Sequence, residues 1–309
     1  MGPRIKQYLR IRARFFLLVA LIIYLIQPIP ALAESGTGLL SIGFSSKAFV
    51  NVPKGDMKIA VQVLSKRVAR KIFGSVESRI YDSPAEIEND LRSKKLDAIA
   101  LTPDDFFNLR THVPLEAAAI TVVGNSHEIG MLVLVRKDSG LNKVAELKNR
   151  SIALPGGTAQ YGGIYRTWLE TLVMKEGAGS LGDFFSTIKE TSTASHAIMP
   201  VFFRKIDACV ISKHVFDITS ELNPQLSRDL KSIAHIDRLA GGIIAFRKDL
   251  PDGTKLKTRQ ALLELHEDTE GRQLLMLFHL NSLAAFRPEY LKNTELLYSE
   301  HSRLIGRRR

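Results

Sequence analysis

The sequence predicts an α/β fold built as two similar units, and three observations predict it. The octapeptide KLDAIALT (Lys95 to Thr102) returns 110 positions later as KIDACVIS (Lys205 to Ser212). A strand–helix–strand–helix–strand pattern runs to about Val123 and restarts near Asn142; that alternation gives parallel strands with helices on the sheet faces. Two apolar strands that end alike, GMLVLVRK (130–137) and GGIIAFRK (241–248), bracket the second block as paired crossings between the units.

The elements follow in order. The start, MGPRIKQYLRIRAR, is basic without an acid, and FFLLVALIIYLI (Phe15 to Ile26) is apolar for 12 residues. QPIPALA then brings Pro28, Pro30 and small residues at Ala31 and Ala33. This is the layout of a secretory signal, and the apolar run is shorter than the ~20 residues of a spanning helix. Cleavage is expected after Ala33, making 1–33 a signal peptide, and no cysteine near the site suggests a lipid anchor. Loss of Arg4, Lys6, Arg10, Arg12 and Arg14 lowers the formal charge from +11 to +6.

LLSIGFSS (39–46) reads as a buried strand. Met57, Ala60, Val61, Leu64, Val68 and Ile72 form a helical stripe,. SRIYD is a strand, and Ser83-Pro84 with Glu86 opens a helix as N-cap, first residue and third-position acid. The first octapeptide is then a strand, TPDDFF a helix start and AAAITVV a strand. After GMLVLVRK come a short helix (NKVAELKN), a strand (RSIALP), the turn GGTAQY (156–161), and a long helix through Trp168, Leu169, Leu172 and Val173. SHAIMPVFFRK is a helix, the second octapeptide a strand, KHVFDITSEL a helix and KSIAHI a strand. From Pro251 the chain reads as helical. Each octapeptide is thus the same joint in its own unit: a helix end, a strand, then a hydroxyl that caps the next helix. Asp97 and Asp207 take a turn or capping role at the start of their strands. Phe106, Phe107, Phe202 and Phe203 read as core residues.

Composition narrows the function. Hydrophobic residues are 45% and charged residues 24% of the 309, as in ordinary globular domains, and the length suits about two domains. Nucleic acid is a poor partner, because no basic stripe is interleaved with aromatics. Cys209, the single cysteine, sits in an apolar run as a small hydrophobe,. No nucleophile elbow, zinc-protease helix, phosphate loop or dinucleotide fingerprint is present. The eight histidines lack metal-ligand spacing,, so neither a catalytic centre nor a metal or cofactor is expected.

What remains is a set of strand-to-helix joints, where open α/β sheets bind ligands and where free N–H groups and the helix dipole favour anions. They are SSKAF (Ser45 to Phe49), TPDD (Thr102 to Asp105), GGTAQY and SKH (Ser212 to His214). Gly156 and Gly157 allow close backbone approach, Thr158 adds a hydroxyl, and Tyr161 or Tyr165 could wall a cleft. His196, beside Ser195, opens a helix. Asp104 and Asp105 could hold a ligand amine or cap their helix; as adjacent helical residues they do not face each other.

At these residues the chain resembles the phosphate/phosphite/phosphonate-binding periplasmic proteins of ABC transporters. The resemblance rests on LRSKKLDAIALTPDDF, LVLVRKDSGLNKVAELKNRSIALPGGTAQYGG, STASHAIMPVFFRKIDACVIS and IIAFRKDLPDG followed by LLELHEDTEGRQLL, and covers about Leu39 to Arg272. It implies a type 2 periplasmic-binding fold: lobe I from 34–130 and 244–309, lobe II from 131–243, with hinge strands at 130–137 and 241–248. It also implies a cleft contacting a small anionic or polar ligand through Ser45, Ser46, Thr102, Gly157, Thr158, Gln160, Tyr161, Ser195, His196 and Ser212. The family's turn is Ser/Thr-rich; here it carries one hydroxyl, Thr158, and so fewer charge-assisted bonds to an oxyanion. The expected function is an extracytoplasmic solute-binding protein, not an enzyme. It would be a periplasmic monomer that closes on a phosphate- or phosphonate-like anion and serves an inner-membrane ABC permease. The alternative is a sensory protein that reports its ligand to a membrane receptor or kinase.

Overall fold

The computed structural model of the chain describes residues 39–48, 54–72, 74–155, 162–191 and 194–307. The expected signal peptide lies outside them. The first stretch runs β1 (Leu39–Ser45), a 3-10 turn (Ser46–Ala48), α1 (Lys54–Ile72), β2 (Ser75–Tyr81), α2 (Pro84–Arg92), β3 (Ala98–Leu101), α3 (Pro103–Leu109) and β4 (Leu115–Val122). The second runs β5 (Glu128–Arg136), β6 (Ser151–Pro155), α4 (Gly162–Lys175), α5 (Leu181–Phe184), β7 (Thr187–Thr191), α6 (Ala194–Phe202), β8 (Ala208–Ser212), α7 (Lys213–Leu222), α8 (Gln225–Asp229) and β9 (Leu230–Ala240). The chain then adds β10 (Ile243–Arg247), α9 (Asp252–Leu263), α10 (Thr269–Leu277), β11 (Ser282–Ala285) and α11 (Lys292–Gly306).

Two mixed sheets result. The first has the order β11-β4-β10-β3-β1-β2, the second β7-β6-β8-β5-β9. In the first, β1 lies parallel to β2 and β3, and β10 is antiparallel to β3 and β4. In the second, β6 lies parallel to β7 and β8, and β5 is antiparallel to β8 and β9. Each sheet carries apolar side chains on both faces, so each lobe has a core above and below its sheet. Gly43 shows how tightly β1 packs. A Cβ there would come within 2.7 Å of the Ile99 side chain and 2.8 Å of Tyr81.

The two octapeptide joints superimpose feature by feature. Each helix ends on a non-glycine residue with positive φ, Lys94 at 59° and Arg204 at 57°. The following turns match: Lys94 N–H donates to Leu91 and Lys95 N–H to Asp90, as Arg204 N–H does to Val201 and Lys205 N–H to Pro200. Asp97 then accepts from the N–H of Ser41 at 3.0 Å, and Asp207 from the N–H of Ser151 at 2.8 Å. Both bonds reach back 56 residues, tying each strand start to the neighbouring parallel strand. The strands end on Thr102 and Ser212, whose side chains accept from Asp105 N–H and Val215 N–H. Ser83, by contrast, stands at its helix start with extended backbone but no side-chain capping bond.

The strands GMLVLVRK and GGIIAFRK are equivalent but are not a crossing pair. β10 belongs to the first sheet and β5 to the second, each as the antiparallel neighbour of its octapeptide strand. Ala245 pairs with Ile99 as Leu134 pairs with Cys209. Arg247 reaches Asp249, and Arg136 reaches Asp138 at 2.8 Å. The passages between sheets lie just before these strands, at 123–127 and 241–242.

The C-terminal region also departs from expectation. A four-residue edge strand, β11, interrupts the helices after Pro251. α11, expected with the first lobe, packs on both. Leu297 enters the second lobe's core. Lys175 meets Glu300 at 3.0 Å, and the His301 ring lies 2.9 Å from Glu170. Tyr298 meanwhile stacks on Phe107 of α3, with centroids 5.0 Å apart, and Arg110 pairs with Glu295 at 2.9 Å. Polar β7, with no apolar alternation, is the other unexpected strand. Cys209 is fully buried, and burial pushes its thiol pKa up. Phe106 and Phe107 are core residues, but Phe203 is exposed.

Between the first sheet and α1, α9 and α10 lies an apolar cavity of about 90 Å³, lined by Phe44, Leu64, Val68, Leu262 and Leu275 among others.

Candidate functional site

The carboxyl ends of β1, β3 and β8 carry the described candidate residues Ser45, Thr102 and Ser212. Ser45, the last residue of β1, is 2% exposed. Its hydroxyl donates to one carboxylate oxygen of Asp105 at 2.9 Å, and Lys47 donates to the other at 2.9 Å. Thr102, also buried, accepts from the Asp105 N–H at 3.2 Å, with Pro103 as first helical residue. Asp105 is therefore the hub of the first lobe's strand ends. Its buried charge is matched by Lys47, whose own side chain stays 44% exposed.

Asp104, one residue earlier, points elsewhere, as the 100° step between helical neighbours requires. It leaves α3 and meets the start of α4 in the other lobe, where the Ile164 N–H donates to its carboxylate. Gly163 makes the approach possible, because a Cβ at that position would collide with the carboxylate. Burial raises the Asp104 pKa to about 7; the Asp105 charge adds to the rise, and Lys47 and the Ile164 N–H oppose it.

In the second lobe Ser212 is buried and caps α7 through Val215 N–H at 3.2 Å. Behind it stand Lys213, paired with Asp217 at 2.6 Å, and His214. Counted from the capping hydroxyl, His214 thus stands where Asp104 does in the first lobe, and Val215 where Asp105 does. His196 stands exposed on the first turn of α6, which Ser195 also helps open. Gly157, Thr158, Gln160 and Tyr161 lie outside the described residues, as does the side chain of Ser195. Tyr165 is 2% exposed within the second core, so it does not wall a cleft. Ser46 faces a depression formed with α1 and β2, beside Lys58, Gln62 and Arg79. It is not gathered with Ser45, Thr102 and Asp105.

The structure therefore joins Ser45, Thr102 and the Asp104–Asp105 pair, and adds Lys47, which sequence reasoning passed over. Its signal was a cation two residues beyond the end of a strand, in a unit whose next joint is doubly acidic. The Ser45 hydroxyl proton is committed to Asp105, whereas Lys47 keeps further N–H groups near the contact of Asp104 with α4, an arrangement that can bind a small polar ligand. Among the described residues no group of three or more His, Cys, Asp or Glu could hold a metal ion, and no helix is long and apolar enough to cross a membrane.

Residues 52–290 match the family described as the periplasmic substrate-binding protein of ABC transporters for phosphonate. No curated protein matches the chain by sequence. Among solved structures, a Xanthomonas citri protein bound to ATP is 16% identical with a TM-score of 0.63, over 86% of this chain and 98% of its own. The binding component of an ABC phosphonate transporter from Pseudomonas aeruginosa is 15% identical with a TM-score of 0.59, over 87% and 88%. A Prochlorococcus marinus protein in complex with methylphosphonate is 16% identical with a TM-score of 0.59, over 85% and 98%. These likenesses establish a shared two-lobed α/β fold.

Proposed function

The chain belongs to the periplasmic substrate-binding proteins of ABC phosphonate transporters, and from that premise we propose that it captures a small phosphorus oxyanion between its lobes and delivers it to a membrane permease. It binds and does not catalyse. The observation that carries the reading is that Asp104, next to the Asp105 hub that gathers Ser45, Lys47 and Thr102 at the first lobe's strand ends, lies against the start of α4 of the second. Helix starts offer free N–H groups and a favourable dipole to anions. Gly157, Thr158, Gln160 and Tyr161, which precede α4 in the sequence, form the second lobe's share of the site with Ser195, His196 and Ser212. Ser46 is retained as a contact at its margin. The segments 123–127 and 241–242 serve as hinges, and closure on ligand creates the form that a permease prefers.

A structural relative holds methylphosphonate and another holds ATP, which supports a phosphorus oxyanion without fixing what it is attached to. The protein acts in the periplasm as a monomer, after removal of residues 1–33. The test is calorimetric titration of the protein from Glu34 onward with methylphosphonate, phosphate, phosphite, sulfate and acetate, after unfolding and refolding to strip bound ligand. Saturable binding of a phosphorus oxyanion, lost in a Thr158→Ala, His196→Ala double variant that stays folded, is expected. Binding of sulfate or acetate alone would overturn the ligand class, and an unaffected double variant would move the site.

A further inference from the structure

A carboxylate from one lobe seated on a helix start of the other is an unusual contact for a pair of lobes that must separate. Asp104 stands on α3, behind β3 of the first sheet, and takes the Ile164 N–H of α4, behind β6 of the second. Gly163 leaves it room. The charged groups that face it are few. Asp105 lies beside it on α3 and repels it; Lys47, from the turn after β1, attracts it but is already bonded to Asp105. On α4 the nearest charged side chain, Arg166, is held by Glu190 at 2.6 Å and Glu170 at 3.6 Å. Among the described residues no cation is bonded to Asp104, and the Ile164 N–H at the helix end favours its charged form.

We propose that Asp104 is a proton-linked latch between the lobes: seating it on α4 takes up a proton, so the lobes close more readily as the solution becomes more acidic. The sign follows from the two environments. With the lobes apart the carboxyl is in water and titrates near the ordinary value of about 3.9. With the lobes together it titrates at about 7, because burial disfavours the charged form,. Above pH 7 both forms are ionised and the lobe equilibrium is flat. Between about pH 7 and 4 the closed form binds the extra proton, and closure strengthens by up to about tenfold per pH unit. Below that range both forms are protonated and the dependence ends. The same carboxylate lies where the proposed oxyanion enters α4, so capture of an anion becomes coupled to the proton. This second consequence rests on the proposed function; the latch does not.

Two measurements separate them. Small-angle scattering of the protein without added ligand, from pH 5 to 8, is expected to show a radius of gyration that grows with pH. Asp104→Asn, which keeps the acceptor and removes the titration, should flatten the curve. Gly163→Ala, which pushes a methyl group into the carboxylate, should keep the lobes apart at every pH. Identical pH curves for the wild-type and Asp104→Asn proteins overturn the latch. In the second measurement, methylphosphonate is titrated near pH 6 in two buffers of different ionisation enthalpy. The wild type should take up nearly one proton more per binding event than Asp104→Asn, and equal uptake overturns the coupling. If methylphosphonate binds neither protein, the ligand reading fails while the scattering still decides the latch.

Discussion

The two octapeptide joints share a frame and differ in what they present beyond it. Both end a helix on a left-handed basic residue, anchor a neighbouring strand with an aspartate 56 residues away, and finish in a hydroxyl that caps the next helix. Even the outer ion pairs match, Lys94 with Asp249 at 2.8 Å and Arg204 with Asp138 at 2.5 Å. After the cap the first joint continues with Pro103, Asp104 and Asp105, the second with Lys213, His214 and Val215. Repetition belongs to the frame and stops at the capping hydroxyl; two residues further on, Asp104 of the first joint meets the opposite lobe. A joint repeated for structural reasons thus directs attention, by where its likeness stops, to the residues in which the two units differ.

The anchoring aspartates test how alike the frames are. Asp97 also holds Arg247 at 2.8 Å, both side chains being nearly buried at 13% and 12% exposure. Asp97→Ala strands most of that guanidinium and should cost about 3 kcal/mol of unfolding free energy. Asp207 is 35% exposed, with Arg150 only at 3.8 Å. Asp207→Ala, losing chiefly its two bonds from Ser151, should cost about 1–2 kcal/mol. Urea midpoints decide; equal losses would show that the buried ion pair adds nothing to the first joint.

Acid titration sharpens the same contrast. Burial alone would raise the Asp207 carboxyl, but the Ser151 hydroxyl and N–H, with Arg150, hold it below the usual range. Its contribution is full above the unfolded value of about 3.9 and is lost as pH falls through the lower folded value. Wild-type stability should therefore drop more steeply below pH 4 than that of Asp207→Asn, as thermal melts between pH 2.5 and 6 would reveal. The caps should be near equals. Thr102→Ala and Ser212→Ala each lose one N–H acceptor, at about 1 kcal/mol. Both should also weaken methylphosphonate binding, and stability loss with unchanged affinity would leave them as caps alone. The smallest effect belongs to the left-handed residues. Lys94→Gly and Arg204→Gly relieve a strained φ but lose a surface ion pair, for a net gain of at most about 1 kcal/mol. Destabilisation by either would mean that the outer pairs outweigh the strain.

Much of this frame was legible in the sequence because it is local. The octapeptides, the capping hydroxyls and the strand–helix alternation all lie within a few residues of one another. The diverging directions of Asp104 and Asp105 follow from helical geometry alone. What stayed hidden was long-range or weakly patterned. β7, TIKET, is mostly exposed and lacks the alternation that announces a strand, and β11 is only four residues at a sheet edge. α11 shows an amphipathic face, but the sequence does not say which core receives it; Leu297 enters the second lobe's core, and Tyr298 packs on the cores of both lobes. GMLVLVRK and GGIIAFRK were matched correctly and placed wrongly, since a strand that enters a sheet after a crossing reads the same as one that crosses. Ser45 and Thr102, now seen beside Asp105, were conspicuous in the sequence because they end strands. Lys47 matters only because Asp105 folds back to it, a contact between residues 58 apart.

The apolar pocket behind β1 and β3 leaves about 90 Å³ unfilled beside the first lobe's core. Side chains along it lack the neighbours that a close-packed interior supplies. Hydrostatic pressure should therefore find volume to remove there.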